Sequence, residues 1–420
     1  MSQSDQYSGL GLVASTQPAR TSWTARLFRK WLRNVQYGHL RIVLPSGEQI
    51  EQAGAWPGPE ATIVVKRWRL LRRLLAAGDI GFAEGYIEQD WTTPDLTSLL
   101  KFAARNIEAL SGAAQGNAVI RLANRLRHHL NANTRRGSRR NIEAHYDLGN
   151  EFYAAWLDPS MLYSSALYDE DAPTLEAAQQ RKLDRIREKL DLSSGTSVLE
   201  IGCGWGALAV DLAGRAGAKV TGITLSPSQL AWAKDLVLRS GLNEHVSLEL
   251  RDYRDIEGTF DRIVSIEMFE AVGERYWPDY FAALKRSMKA EGRAVLQIIS
   301  INKQHFDRYR CKADFIQKYI FPGGFLPSDA ALKAKVEQSG LRLVEIEHFG
   351  KSYALTLAEW RARFNANWDR VAALGFDERF HRLWNYYLAY CEAGFEEGRI
   401  DVGFYTIEHA SAGRAREDKA

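Results

Sequence analysis

From residue 141 onward, short apolar runs alternate with longer stretches in which apolar residues recur every three or four positions. The runs at 198–201, 219–223, 246–250, 262–266, 294–301, 341–348 and 402–409 have strand length. The stretches between them have helical spacing. One opens at Ser226, whose hydroxyl is placed to cap a helix that begins with Pro227. Strands separated by helices predict a parallel α/β sheet. Seven strands in this order predict a doubly wound, Rossmann-like sheet, with its ligand at the switch point beside the first strand.

The front of the chain has another rhythm. Residues 1–20 are small and polar and read as a disordered tail. Trp23, Leu27 and Trp31 then recur four apart, with Phe28 and Leu32 beside them. Arg26, Arg29, Lys30 and Arg33 fill the other positions. This basic amphipathic helix suits an anionic membrane surface, and equally suits docking on its own domain with the arginines solvated. Residues 39–65 alternate like strands, with a turn at Pro45, Ser46 and Gly47. A second basic helix, KRWRLLRRLLAAG, is expected to close at Gly78, and a further helix spans about 95–107. Together these predict a smaller α+β unit over 21–120, with no catalytic constellation in it. Residues 121–140 are basic, contain Gly137 and Ser138 near their end, and read as a linker to a larger domain at 141–420.

A length of 420 residues exceeds one ordinary core, which agrees with that division. Hydrophobic content of 45 % and charged content of 25 % are those of a globular protein. The net charge of +3 conceals an asymmetry. Residues 1–141 hold 20 Lys and Arg against 10 Asp and Glu, a net of +10; the remainder holds 35 against 42, a net of −7. A basic front suggests a polyanionic partner, membrane or nucleic acid. Cys203, Cys311 and Cys391 have no metal-type spacing, so no metal site is expected, and so sparse a set fits a reducing compartment. No apolar run approaches the roughly 20 residues of a spanning helix, and the N-terminus does not read as a signal peptide.

The chemistry concentrates in VLEIGCGWGALAVDLA, residues 198–213. It reads as a buried strand, a turn containing Gly202, Gly204 and Gly206, and a helix whose first N–H groups face a ligand. Glu200, at the strand's end, suits a cationic group such as a ligand amine. The G-x-G-x-G spacing is not the dinucleotide fingerprint. It points to S-adenosylmethionine, with another nucleotide or a purely structural turn as alternatives. The second strand ends without the acidic residue that a dinucleotide enzyme places on ribose; Thr224 and Gln229 are the polar groups within reach. Asp252 and Tyr253 follow the third strand, where an adenine amino group and ring would lie, or where a capping Asp and a core Tyr would serve.

Three further motifs, HYDLGNEFYAAWLDPSMLYSSALY, FDRIVSIEMFEAVG and DFIQKYIFPGGFLPS, accompany the glycine turn in order. Together the four resemble the cyclopropane-fatty-acyl-phospholipid synthases and the related mycolic acid cyclopropane synthases, over roughly residues 141–409. The front unit, with LLAAGDIGFAEGYIEQDW, is similar to the N-terminal lipid-binding domain of the longer members. The resemblance implies a seven-stranded methyltransferase sheet and a cytoplasmic enzyme peripheral on the inner face of the membrane. It further implies a homodimer and no nucleic-acid partner. The implied reaction adds the methyl carbon of S-adenosylmethionine across the cis double bond of a phospholipid acyl chain, and a bound bicarbonate removes the proton.

Carried over by motif, the bicarbonate pocket falls on Ser165, Glu270, Gln297, Ile299 and Tyr353. Glu270 would orient the anion and Ile299 would offer a backbone group. Ser165 stands where a cysteine is usual and Gln297 where a histidine is usual, and each is expected to donate hydrogen bonds to the anion. Tyr163 and Ser164 would lie near the methionine carboxylate. A weakly held base would favour a second product class, a methyl-branched or methylene chain. A small-molecule methyltransferase and a non-catalytic membrane-binding protein are the remaining alternatives.

Overall fold

A computed structural model describes residues 23–114, 148–311 and 314–411. The expected tail at 1–20 and linker at 121–140 lie outside the described residues. The predicted strands appear in the predicted order. β1 (Tyr37–Val43), β2 (Gln49–Ala53), β3 (Trp56–Val65) and β4 (Trp91–Thr92) form a four-stranded sheet, ordered β2-β1-β3-β4. β5 (Ser197–Ile201), β6 (Lys219–Thr224), β7 (Val246–Leu250), β8 (Phe260–Ile266), β9 (Met288–Ile301), β10 (Leu341–His348) and β11 (Ile400–His409) form the seven-stranded sheet, ordered β10-β11-β9-β8-β5-β6-β7. Only β11 runs antiparallel to its neighbours in that sheet. The chain builds outward from β5 to β6 and β7, then crosses back to β8 on the other side of β5. That reversal leaves the carboxyl ends of β5 and β8 side by side, the place where such sheets bind ligands.

One expectation for the front unit changes, and of the two readings of its first helix the docked one fits the structure. The second basic helix does not close at Gly78 but continues, Arg69–Ile87, through a kink where Gly78 takes φ 61 and ψ −128. An L side chain rarely adopts that conformation, so glycine permits the bend and the chain resumes helical geometry beyond it. Asp90 is fully buried and fastens the kinked helix by accepting from Arg69 Nε (2.9 Å) and Arg73 Nε (3.0 Å). Of the amphipathic first helix (Trp23–Leu32), Phe28 and Leu32 turn inward and are buried, so its described apolar residues dock on the protein's own core. Arg29, Lys30 and Arg33 stay exposed.

The two units are not beads on a string. One continuous apolar core contains Phe28, Leu40 and Leu70 from the front and Trp156, Trp384 and Phe404 from the rest. The C-terminal helix Glu378–Glu396 packs against the front unit. Its Arg382 donates to the carbonyls of Tyr86 (2.6 Å) and Trp91 (3.2 Å) and covers the Tyr86 ring. From the motif FIQKYIFPGG, Lys318 Nζ and Tyr319 Oη both donate to Glu84 Oε1, at 2.7 and 2.6 Å.

Candidate active site

The glycine turn leaves β5 and is strapped to β6: Gly202 N and Cys203 N both donate to the Ile223 carbonyl at 2.9 Å. Gly202 (φ 87), Gly204 (φ 52) and Gly206 (φ 90) all take left-handed backbone, and the helix Ala207–Ala216 follows. A Cβ on Gly204 would meet no protein atom within 4 Å, so the space beside this backbone is open. Glu200 is 3 % exposed, and its Oε2 has no hydrogen-bond partner among the described residues. Burial pushes its carboxyl well above the usual range. A ligand cation brought beside it would oppose that rise and favour its charged form.

Beside it lies a cavity of about 80 Å³, lined by Glu200, Ser164, Lys182 and the turn. Lys182 is fully buried and donates from Nζ to Ser164 Oγ at 2.6 Å. Burial lowers its pKa to about 8, against the opposing pull of Glu267 and Asp158. One buried acid and one buried base facing one small cavity suit the ammonium and carboxylate of an amino-acid moiety. Thr224 and Gln229 line the larger cavity next to it and hydrogen-bond each other at 3.1 Å. These residues fit S-adenosylmethionine. Asp252 departs from its ligand reading. It caps Arg254 N and grips the Arg254 guanidinium with both carboxylate oxygens, at 2.8 and 2.6 Å, and it does not line the cavity. Tyr253 does line it, edge-on to Tyr280. Cys203 is buried packing in the turn, with its thiol pKa pushed up by burial.

The larger cavity, about 580 Å³, runs on from the turn. It passes Tyr163, Glu267, Glu270, Ile299 and Tyr353, and then Ile316, Phe321 and Phe325 of the FIQKYIFPGGF segment. It ends among Phe28, Leu40, Ile42, Ile63, Leu70 and Phe102 of the front unit.

The residues expected to hold an anion do converge, but on a side chain of the protein. Glu267, directly after β8, accepts from Ser165 N (2.8 Å) and Gln297 Nε2 (2.7 Å) at Oε1, and from Tyr353 Oη (2.6 Å) at Oε2. Three expectations are thereby corrected. The Ser165 hydroxyl donates to the Ala166 carbonyl (2.8 Å), so its backbone N–H is the donor that faces Glu267. The Gln297 amide is taken by Glu267, and Ser165 and Gln297 are both fully buried behind it. The Ile299 N–H binds Glu270 Oε1 (2.5 Å). With these donors used by a carboxylate already present, the residues do not fit an added bicarbonate.

The two glutamates differ in what surrounds them. Burial raises the pKa of Glu267, while Tyr353, Ser165, Lys182 and Gln297 all oppose the rise. Glu270 has the Ile299 N–H as its main support and the Glu267 charge nearby, and its pKa is pushed up to about 8. Its Oε2 is buried without a partner among the described residues. Glu267 has the donors that favour a charge and Glu270 lacks them, so a proton held by the pair sits on Glu270.

Sequence reasoning missed Glu267 and Lys182. Lys182 interrupts the apolar face of the helix Leu175–Leu190, between buried Ala178 and Ile186, and a lysine on such a face is a signal. Glu267 lies three residues before Glu270 in an otherwise apolar run, so the pair of carboxylates was visible.

The family described as mycolic acid cyclopropane synthetase matches residues 133–404. The chain belongs to this family. It is 38 % identical over 377 residues to the tuberculostearic acid methyltransferase UfaA1 of Mycobacterium tuberculosis, covering 88 % of each chain. It is 37 % identical over 354 residues to the cyclopropane-fatty-acyl-phospholipid synthase of Escherichia coli K12, covering 81 % of this chain and 86 % of that one. The mycolic acid cyclopropane synthase CmaA1, solved with SAH and CTAB, superposes with a TM-score of 0.61 at 32 % identity, over 64 % of this chain and 97 % of that one. The chain is an S-adenosylmethionine-dependent methyltransferase of the cyclopropane-synthase fold.

Proposed function

We infer that this methyltransferase acts on the cis double bond of an unsaturated phospholipid acyl chain and closes a cyclopropane ring there. The observation that carries this reading is the continuous cavity, polar at the glycine turn and the two glutamates and walled beyond them mostly by aliphatic and aromatic side chains as far as the front unit, with Asp79, Arg308, Asp314 and Arg399 also on its lining. A small polar methyl acceptor has no use for that wall. The names of the E. coli and M. tuberculosis relatives support a lipid acceptor, and that of the E. coli relative a ring product.

Bound S-adenosylmethionine supplies an electrophilic methyl group. The chain's residues do the rest. Glu200, Lys182 and the turn fix the cofactor end. The apolar wall aligns the alkene and excludes water, so that a carbocation on the acyl chain survives. The Glu267 charge, held by Tyr353, Gln297 and Ser165 N, lies on the same wall and stabilises that cation.

The similarity to a tuberculostearic acid methyltransferase favours a second reading, in which the acyl chain leaves methyl-branched or with a methylene group. Incubation with methyl-deuterated cofactor and vesicles of cis-monounsaturated phospholipid separates the two. The ring reading predicts a gain of one CD₂, loss of the olefinic protons and a product inert to mild hydrogenation. Label in the head group, or none in lipid, overturns both.

Among the described residues no helix is long and apolar enough to cross a membrane. Lys66, Arg67 and Arg72 are exposed around Trp68, itself 40 % exposed, and support peripheral attachment to an anionic surface. A homodimer would present two such faces, and light scattering at micromolar concentration tests for it.

A further inference from the structure

The geometry points to Glu267 as the base that takes the proton from the newly transferred methyl group, so that the chain carries in its own sequence the anion assigned by resemblance to bicarbonate. This deepens the lipid reading and rests on it.

Four observations converge. First, Glu267 lines both cavities and so stands between the cofactor end and the acyl end. Second, Ser165, Gln297 and Tyr353, three of the five residues read as the anion pocket, all donate to its carboxylate. Third, Glu267 takes φ 48, left-handed backbone for a side chain that disfavours it. Such strain costs on the order of 1–3 kcal/mol and persists where the surroundings enforce it. Here the Glu267 N–H is held by the Gln297 carbonyl at 2.8 Å, while the Gln297 side chain holds the carboxylate. Fourth, the acceptor count leaves room for a proton. Oε1 accepts twice and Oε2 once, so one lone pair on Oε2 remains.

The step balances without a further reactant. The alkene π pair forms the bond to the methyl carbon as the carbon–sulfur bond breaks, its pair staying on sulfur. The other alkene carbon becomes cationic. One C–H bond of the new methyl group then breaks. Its proton goes to Glu267 Oε2, and its electron pair closes the third ring bond onto the cationic carbon. The proton passes to water after the product leaves. A proton beside a carbocation is so acidic that a carboxylate suffices as base.

The test uses the full chain, wild type, Glu267→Gly and Glu267→Gln, on vesicles of cis-monounsaturated phospholipid, in buffer stripped of carbon dioxide and then with bicarbonate or formate added. Glycine relieves the left-handed strain and empties the space; glutamine fills it. Wild-type turnover is expected to ignore stripping. Glu267→Gly is expected to lose roughly 10²–10⁴-fold, and to recover roughly tenfold or more with added anion. Glu267→Gln is expected to stay impaired with or without it. Carbon-13 bicarbonate titration by NMR, which needs no turnover, is expected to show binding to Glu267→Gly and none to wild type. Cofactor affinity by calorimetry is expected to change far less than turnover in either variant. The proposal is overturned if stripping slows the wild type, if Glu267→Gly turns over normally without added anion, or if wild type binds bicarbonate. If wild type modifies no unsaturated lipid, the lipid reading fails by itself, and the bicarbonate titration still judges the pocket.

Discussion

The two polar stretches of the active-site wall are built from different materials. At the cofactor end the structure is mostly backbone: three left-handed glycines within five residues, strapped to the neighbouring strand by two N–H groups. At the Glu267 end it is mostly side chain, gathered from partners 102, 30 and 86 residues away in sequence. A backbone site survives changes in its neighbours but not a change in the backbone's own freedom. A side-chain site depends on each donor in turn, and a single residue decides whether its anion is built in or borrowed.

The largest expected effect strikes the first kind. Gly204→Val puts a β-branched residue at φ 52 and fills the open space beside the turn. It should cost about 1–3 kcal/mol of stability and weaken cofactor binding by about a hundredfold or more, close to 3 kcal/mol. Calorimetry and a thermal melt measure the two separately, and undiminished affinity would remove the cofactor assignment. The second kind responds to Tyr353→Phe. Losing a hydrogen bond to a charged carboxylate, worth about 1.5–3 kcal/mol, should cut turnover roughly 10- to 100-fold while leaving cofactor affinity unchanged. The same change removes a donor that favours ionised Glu267, so the acidic limb of the pH–rate profile should move to higher pH. A limb that stays put would separate Tyr353 from the Glu267 charge.

Glu270→Gln sharpens the contrast between the two glutamates. The folded state holds the Glu270 proton up to about pH 8, while the unfolded chain releases it near the ordinary carboxyl value. The folded form therefore binds the extra proton between those limits, and wild-type stability should fall as pH rises through that window. In Glu270→Gln that part of the fall should vanish. Parallel denaturation curves for the two proteins from pH 5 to 8 would show the carboxyl to be ionised throughout. The smallest effect belongs to the surface. Arg67→Gln should weaken binding to anionic vesicles by roughly 1 kcal/mol, about fivefold, at low salt and hardly at all at high salt. Equal loss on neutral vesicles would contradict an electrostatic attachment.

The same division explains what the sequence disclosed. All seven strands of the large sheet were legible from their apolar positions, although β9 begins at Met288, ahead of the run expected from 294, and the glycine turn was legible because its chemistry is local. The continuation of the second front helix past Gly78 was not, since a glycine that ends a helix and one that bends it look alike until the rest of the fold packs on the far side. Ser165, Gln297 and Tyr353 were correctly grouped, but their common partner was not seen. That Glu267 meets them depends on β8 lying between β5 and β9, and on the loop holding Ser165 being pinned to the helix Gly350–Ala366 by Thr356 and Ser352. Asp252 was legible as a cap, and the structure realises that reading with Arg254 in its grip.

The central claim is that one part of this wall holds the methyl donor and the part next to it removes the proton, so the two steps can be parted. The direct measurement is the ratio of S-adenosylhomocysteine released to cyclopropane formed, in wild type and in Glu267→Gln, with cofactor affinity measured alongside. The account predicts a ratio near one for wild type and a ratio well above one for the variant, with affinity changed far less than that ratio, as cations form but escape to other products. A variant that keeps a ratio of one, with both products falling together, would contradict it.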